Sequence, residues 1–179
     1  MLASRTHGLL PNPAFYGTAV HPGIGLACWL GVSFLAALVG NLVPENVGAF
    51  YQQLVQPAWA PPRAVFGPVW AVLYALMGIS AWLVWRDRGF AGAGPALGIF
   101  LMQIAANAMW TWLFFGLKAG ALAFGEILLL WVLVLMTTVR FAGVSRTAAA
   151  LMLPYLAWMS FAALLSHSLW RLNPGVLSG

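Results

Sequence analysis

Five apolar, nearly uncharged runs, each close to the length that crosses a bilayer, leave this chain little freedom in what it can become. They are Ile24 to Leu42, Val65 to Trp85, Pro95 to Phe115, Ala119 to Val139 and Ala148 to Trp170. A hydrocarbon core about 30 Å thick takes about 20 residues of α-helix, and only helices and closed barrels satisfy their own backbone there. The chain is 6% charged, against about 25% in a soluble domain. The expected fold is therefore all-α, an integral, multi-pass membrane bundle of five transmembrane helices within residues 24–173. A polar tail (1–23) precedes it and a short tail (174–179) follows, with no room for a separate soluble domain.

Arg5 and His7 stand in the amino-terminal tail, and Pro11, Pro13 and Pro22 interrupt it, so it reads as a tail rather than a cleaved signal. The net charge of +5 does not point to nucleic acid, because the basic residues are dispersed at the junctions between spans, where they anchor helix ends. Arg5, Arg86, Arg88, Arg140 and Arg146 fall on one side of the membrane, and Arg63, Lys118 and Arg171 on the other. This bias puts the amino terminus in the cytoplasm. Cys28, the single cysteine, cannot form an internal disulfide.

One connection is long. Val43 to Ala64 holds Pro44, Glu45, Phe50, Tyr51 and Trp59, and Pro57, Pro61 and Pro62 delay the second helix until about Arg63. Such a loop is either a binding element or a set of interfacial aromatics. The connections around Arg86 to Gly94, Leu117 to Lys118 and Arg140 to Thr147 are short and imply antiparallel hairpins.

Gln103, Asn107, Trp110 and Phe114 recur at helical spacing on one face of the third span. Their amides need partners inside the bundle, either another helix or a ligand. On the fifth span Trp158, Phe161, Ala162 and Leu165 share a face that suits packing or a planar ligand, and Pro154 leaves a carbonyl free near Ala150. Glu126 is the one carboxylate inside a span, either functional or partnered by cations reaching in from the ends. His167 has no His, Cys or carboxylate beside it at ligand spacing, so no metal site is expected, and no cofactor is required. Nucleophile elbows, phosphate loops and paired carboxylates are absent, which argues against ordinary hydrolysis and phosphoryl transfer. Gly94 and Gly98, Gly116 and Gly120, and Ala121 and Gly125 repeat at small-xxx-small spacing, and a homodimer through the third span is expected.

Taken in order, Pro57-Ala-Trp-Ala-Pro-Pro62, Gly67-Pro-Val-Trp70 with Tyr74, Gln103 with Asn107, Phe114-Phe-Gly116 and Pro154-Tyr-Leu-Ala-Trp158 with Phe161-Ala162 resemble the translocator protein family, TspO, also called tryptophan-rich sensory proteins or peripheral benzodiazepine receptors. The resemblance implies a five-helix bundle, in a bacterial membrane or the mitochondrial outer membrane, that binds porphyrins such as protoporphyrin IX and haem, sterols, and isoquinoline or benzodiazepine drugs. It places the ligand beneath the long loop. The matching pocket positions are Gly40 and Val43 on the first helix, Phe66, Gly67, Trp70 and Tyr74 on the second, Asn107 and Trp110 on the third, and Trp158, Phe161 and Ala162 on the fifth. It leaves three outputs open: transport, sensing, and light-dependent oxidative degradation of porphyrin, for which Trp70 and Trp158 would be the catalytic pair.

Two departures matter. Phe50-Tyr51 replaces the tryptophan-tyrosine often found in the loop, which removes an indole from it. The sterol motif of animal members needs a tyrosine where His167 stands, so Leu164, His167 and Arg171 do not complete it.

Overall fold

The computed structural model describes residues 21–43 and 46–178. Arg5, His7, Pro11 and Pro13 of the tail, and Pro44 and Glu45 of the long loop, lie outside the described residues.

Helix α1 (Pro22–Gly40) starts where the sequence supplies a cap: Pro22 takes the first helical position and His21 Nδ1 accepts from the Gly23 amide at 3.2 Å. A short helix, α2 (Val47–Gln53), lies inside the long loop and is capped by Asn46, whose side chain accepts from the Ala49 amide. Helix follows at Arg63–Val65, directly after the prolines, and leads into α3 (Phe66–Thr111).

At 46 residues and about 1.5 Å per residue, α3 would be more than twice as long as the membrane is thick if it were straight. It folds back at Gly89, the one residue with non-helical angles (φ 60°, ψ −174°), a left-handed φ that glycine adopts at little cost. Bonds between its halves give their direction: Tyr74 meets Asn107 and Met77 meets Gln103, so contacts climb one arm as they descend the other. The two arms are therefore antiparallel spans. The expected connection from Arg86 to Gly94 is helical apart from Gly89, a difference from the sequence-based boundaries. Pro95 falls in the early turns of the second arm, where its missing amide costs a single bond.

A π-turn (Trp112–Gly116) and a tight reversal at Lys118 (φ 54°) lead into α4 (Gly120–Ala142), and Ser145 caps α5 (Arg146–Leu172). Counting both arms of α3, five spanning helices form the bundle, and no strand occurs among the described residues.

Close approach of the helices is written in small residues. A Cβ on Gly78 would lie 2.9 Å from the Leu30 Cα of α1, and one on Gly120 would lie 2.4 Å from the Trp170 ring of α5. Gly120 thus serves packing within the chain, whereas Gly94 and Gly98 meet nothing within 4 Å. Two apolar clusters result. The larger runs down the bundle through Met77, Phe100, Leu130, Phe141 and Tyr155; the smaller, around Phe50, Phe114, Phe115 and Leu169, sits at the long-loop end and takes in Leu177, so the C-terminal residues fold back onto the bundle. Leu35, Leu38, Leu122, Leu129, Val139 and Leu164 point outward, a belt suited to lipid.

Candidate functional site

Between the two clusters, at the end of the bundle covered by the long loop, lies a cavity of about 390 Å³. Ligand pockets commonly occupy about 300–1,000 Å³ and are apolar with a few placed polar groups. Each wall has its own source. The first arm of α3 supplies Phe66, Gly67, Trp70 and Tyr74; the second supplies Asn107, Trp110 and Thr111, continued by Phe114 and Phe115. Helix α5 supplies Trp158, Ala162, Leu165, Ser166 and Leu169, and α1 supplies Phe34, Ala37 and Gly40, with Asn41 beyond its end. From the loop comes Tyr51. None of the lining residues is charged.

Helical spacing explains the alignment. Trp70 and Tyr74 are four residues apart and stack at 5.4 Å with their planes 29° apart; Trp110 and Phe114 do the same at 5.1 Å and 20°. Trp158 packs edge-on against Phe66 at 6.0 Å, closing the gap between α5 and the first arm.

Asn107 is the polar centre. Its Oδ1 accepts from the Tyr74 hydroxyl at 2.5 Å and its Nδ2 donates to the Tyr155 hydroxyl at 3.1 Å, which links three spans through one amide. Gln103 is turned elsewhere: its Nε2 approaches Met77 Sδ at 3.8 Å, and its Oε1 has no partner. Of the two amides read from the sequence, Asn107 joins helices and lines the cavity, while Gln103 lies in the core away from it.

The loop is fastened over this end. Asn173, just past α5, donates from Nδ2 to the Val55 carbonyl at 2.9 Å and accepts at Oδ1 from the Val55 amide at 2.8 Å, pairing with the backbone as a strand neighbour would. The Tyr51 hydroxyl donates to the Pro61 carbonyl at 3.1 Å, and burial pushes its pKa above the ordinary value, so the donor form persists. Phe50 packs edge-on against Phe115, with Lys118 Nζ 5.0 Å from its ring centre.

Of the expected pocket residues, Gly40, Phe66, Gly67, Trp70, Tyr74, Asn107, Trp110, Trp158 and Ala162 line the one cavity. Val43 and Phe161 do not. Val43 is buried in the smaller cluster and packs near Gly116. Phe161 instead packs against Trp59 at 5.8 Å and Trp158 at 5.3 Å, and lines a separate groove with Pro68 and Pro154. Leu164, His167 and Arg171 lie on the exposed side of α5, away from the cavity lining, with His167 against Phe124 at 4.9 Å. Glu126 is buried, and neither carboxyl oxygen has a partner.

Sequence reading missed Ser166 and Leu169, although they extend the Trp158, Ala162, Leu165 stripe by one more turn. Phe34, Ala37 and Asn41 also repeat at helical spacing; the signal was present but had no motif to mark it.

Residues 26–171 match the TspO/MBR family. The chain is 38% identical over 148 residues to the human translocator protein, covering 81% of this chain and 88% of that one. It is 34% identical over 154 residues to the tryptophan-rich protein TspO of Chlorobaculum tepidum, covering 83% and 96%. Similarity to protein CrtK of Rhodobacter capsulatus is 40% over 132 residues, covering 72% and 81%.

Proposed function

The chain belongs to the TspO/MBR family, and on that premise we propose that it binds porphyrins such as protoporphyrin IX and haem, and related flat hydrophobic ligands, in the cavity beneath the long loop. As a multi-pass membrane protein of a translocator and sensory-protein family it has a receptor or translocator role. The observation that carries it is the convergence of Trp70 from one helix and Trp158 from another on a single uncharged cavity. Indole faces hold a planar aromatic by burial and offset stacking, and Asn107 offers a polar edge.

Titrating porphyrin into purified protein and following tryptophan quenching tests this. The double variant Trp70→Ala, Trp158→Ala is expected to bind at least about tenfold more weakly, since each truncation removes a buried aromatic contact of about 1 kcal/mol or more. Unchanged affinity overturns the assignment.

A second reading has the same residues oxidise the bound porphyrin in light, with dioxygen as oxidant. Its support is that Trp70, Tyr74 and Trp158, all oxidisable side chains, face the cavity. Illuminated protein must then yield a product that bleaching of free porphyrin does not. We further propose homodimerisation through the open Gly94 and Gly98 face of the second arm, where Gly98→Leu is expected to abolish cross-linked dimers.

A further inference from the structure

The acidic side chains of the chain are Glu45, Asp87 and Glu126. Glu45 belongs to the long loop at the far end of α1, and Glu126 lies inside α4, about 21 Å of helix before Arg140. Asp87 is therefore the one acid at the end where α3 reverses, and Arg86 holds it, with Nη2 and Nε each 3.1 Å from Oδ1. The Arg86 guanidinium also lies 4.8 Å from the centre of the Trp82 ring, whose Nε1 donates to the Pro22 carbonyl at 3.0 Å. Arg88, Arg140 and Arg146 are exposed at this end and make no ion pair among the described residues. The tail before Pro22 contains no acid to offset them.

Contacts between helices fix how these three arginines stand. Ser80 on the first arm of α3 donates to the Ala148 carbonyl of α5 at 2.7 Å, and Phe100 on the second arm stacks on Phe141 of α4 at 5.9 Å. The connection from α4 to α5 is thus held against both arms. Arg88 stands eight residues past Ser80 and Arg146 two before Ala148, so the reversal projects beyond the connection by about 9 Å. The headgroup layer of one leaflet is about 5–7 Å thick, comparable with that step. Phe90, beside Gly89 at the crest, is 63% exposed, which suits a reversal in contact with lipid rather than one standing in water.

We propose that Arg88, Arg140 and Arg146 form a headgroup shelf that holds an anionic phospholipid in preference to a zwitterionic one. Guanidinium groups meet phosphate oxygens bidentately, and an anionic headgroup brings no ammonium of its own to oppose three unpaired cations. At the loop end Lys118 is engaged, its Nζ 5.0 Å from the Phe50 ring centre, which leaves Arg63 and Arg171. The shelf is independent of the cavity and of what the cavity binds.

The full chain in non-ionic detergent is titrated with tail-labelled phosphatidylglycerol and phosphatidylcholine of identical acyl chains, so that orientation in a membrane does not enter. Phosphatidylglycerol is expected to bind about tenfold more tightly at low ionic strength, and about twofold or less in 1 M salt, where the Debye length is about 3 Å. The triple variant Arg88→Gln, Arg140→Gln, Arg146→Gln should lower the ratio to about twofold or less, while lysine at the same three positions keeps it above about fivefold. If the glutamine triple does not fold, the single variants decide, each cutting the ratio about twofold. Equal affinities in the wild type, a preference that survives the glutamine triple or high salt, or the same loss in Arg63→Gln, Arg171→Gln would each overturn the shelf. Displacement of phosphatidylglycerol by millimolar inorganic phosphate at matched ionic strength would also overturn it, assigning the arginines to the free anion.

Discussion

Asn107 and Glu126 are both buried polar residues inside the bundle, yet their surroundings predict opposite responses to substitution. Asn107 satisfies two phenols, so Asn107→Ala strands the Tyr74 hydroxyl without its acceptor and the Tyr155 oxygen without its donor. Leaving such groups unpaired costs about 1–3 kcal/mol each, and a clear fall in thermal midpoint in detergent is expected. Glu126 satisfies nothing among the described residues, since both its oxygens are buried without partners. Replacing it with leucine removes two unmatched acceptors at little change in volume, which should leave the midpoint unchanged or raise it by the equivalent of about 1 kcal/mol. Glu126→Gln retains polar ends and gives no such gain. A midpoint lowered by Glu126→Leu would show that the carboxyl has a partner in the folded protein, and would turn attention to what that partner is.

At the scale of elements, the long loop depends on a single residue from the far end of the chain. Asn173 holds both backbone groups of Val55, across a separation of 118 residues, and Tyr51 secures the Pro61 turn. Asn173→Ala removes the paired bonds while leaving α5 intact up to its last turn. Amide exchange over residues 46–62 should then speed up by about tenfold or more while exchange within the spans stays constant, because opening a loop held by two bonds of about 1 kcal/mol each is a local event. Unaltered loop exchange would mean that the ring contacts of Tyr51 with Phe66 and Trp59 with Phe161 suffice. This fastening was not legible in the sequence, since nothing about an asparagine after a helix names a partner 118 residues away. The spans themselves were legible because the bilayer demands length and apolarity, and the facing of Trp70 and Trp158 followed from the family resemblance. Gly89 was missed for a different reason. The polar Arg86-Asp87-Arg88 announced a reversal near this point, but not that a single left-handed glycine makes it between two otherwise helical arms. Ser166 stayed hidden because a serine in a membrane helix ordinarily bonds its own turn, a state that sequence cannot distinguish from an unpaired one.

The whole molecule has two unlike ends. Arg86, Arg88, Arg140 and Arg146 gather where α3 reverses and α4 passes to α5, whereas Arg63, Lys118 and Arg171 stand at the end that holds the loop and the cavity. Basic residues close to helix ends are retained on the cytoplasmic side, and with Arg5 counted the sums are five against three. That bias predicts the cavity end on the opposite face, and ligand entry under the loop from the non-cytoplasmic side or from that leaflet. Single cysteines in a Cys28→Ala background test this in intact cells with a membrane-impermeant maleimide. Cysteine at Ala60 or Val176 should label from outside, and cysteine at Ala91 or Val144 only after the membrane is opened. Because the margin is two charges, adding two lysines among the exposed residues of the cavity end, with Arg88→Gln at the other, is expected to produce molecules of both orientations. Labelling of Ala91 and Val144 from outside in the unaltered background would reverse the assignment and put the cavity mouth in the cytoplasm.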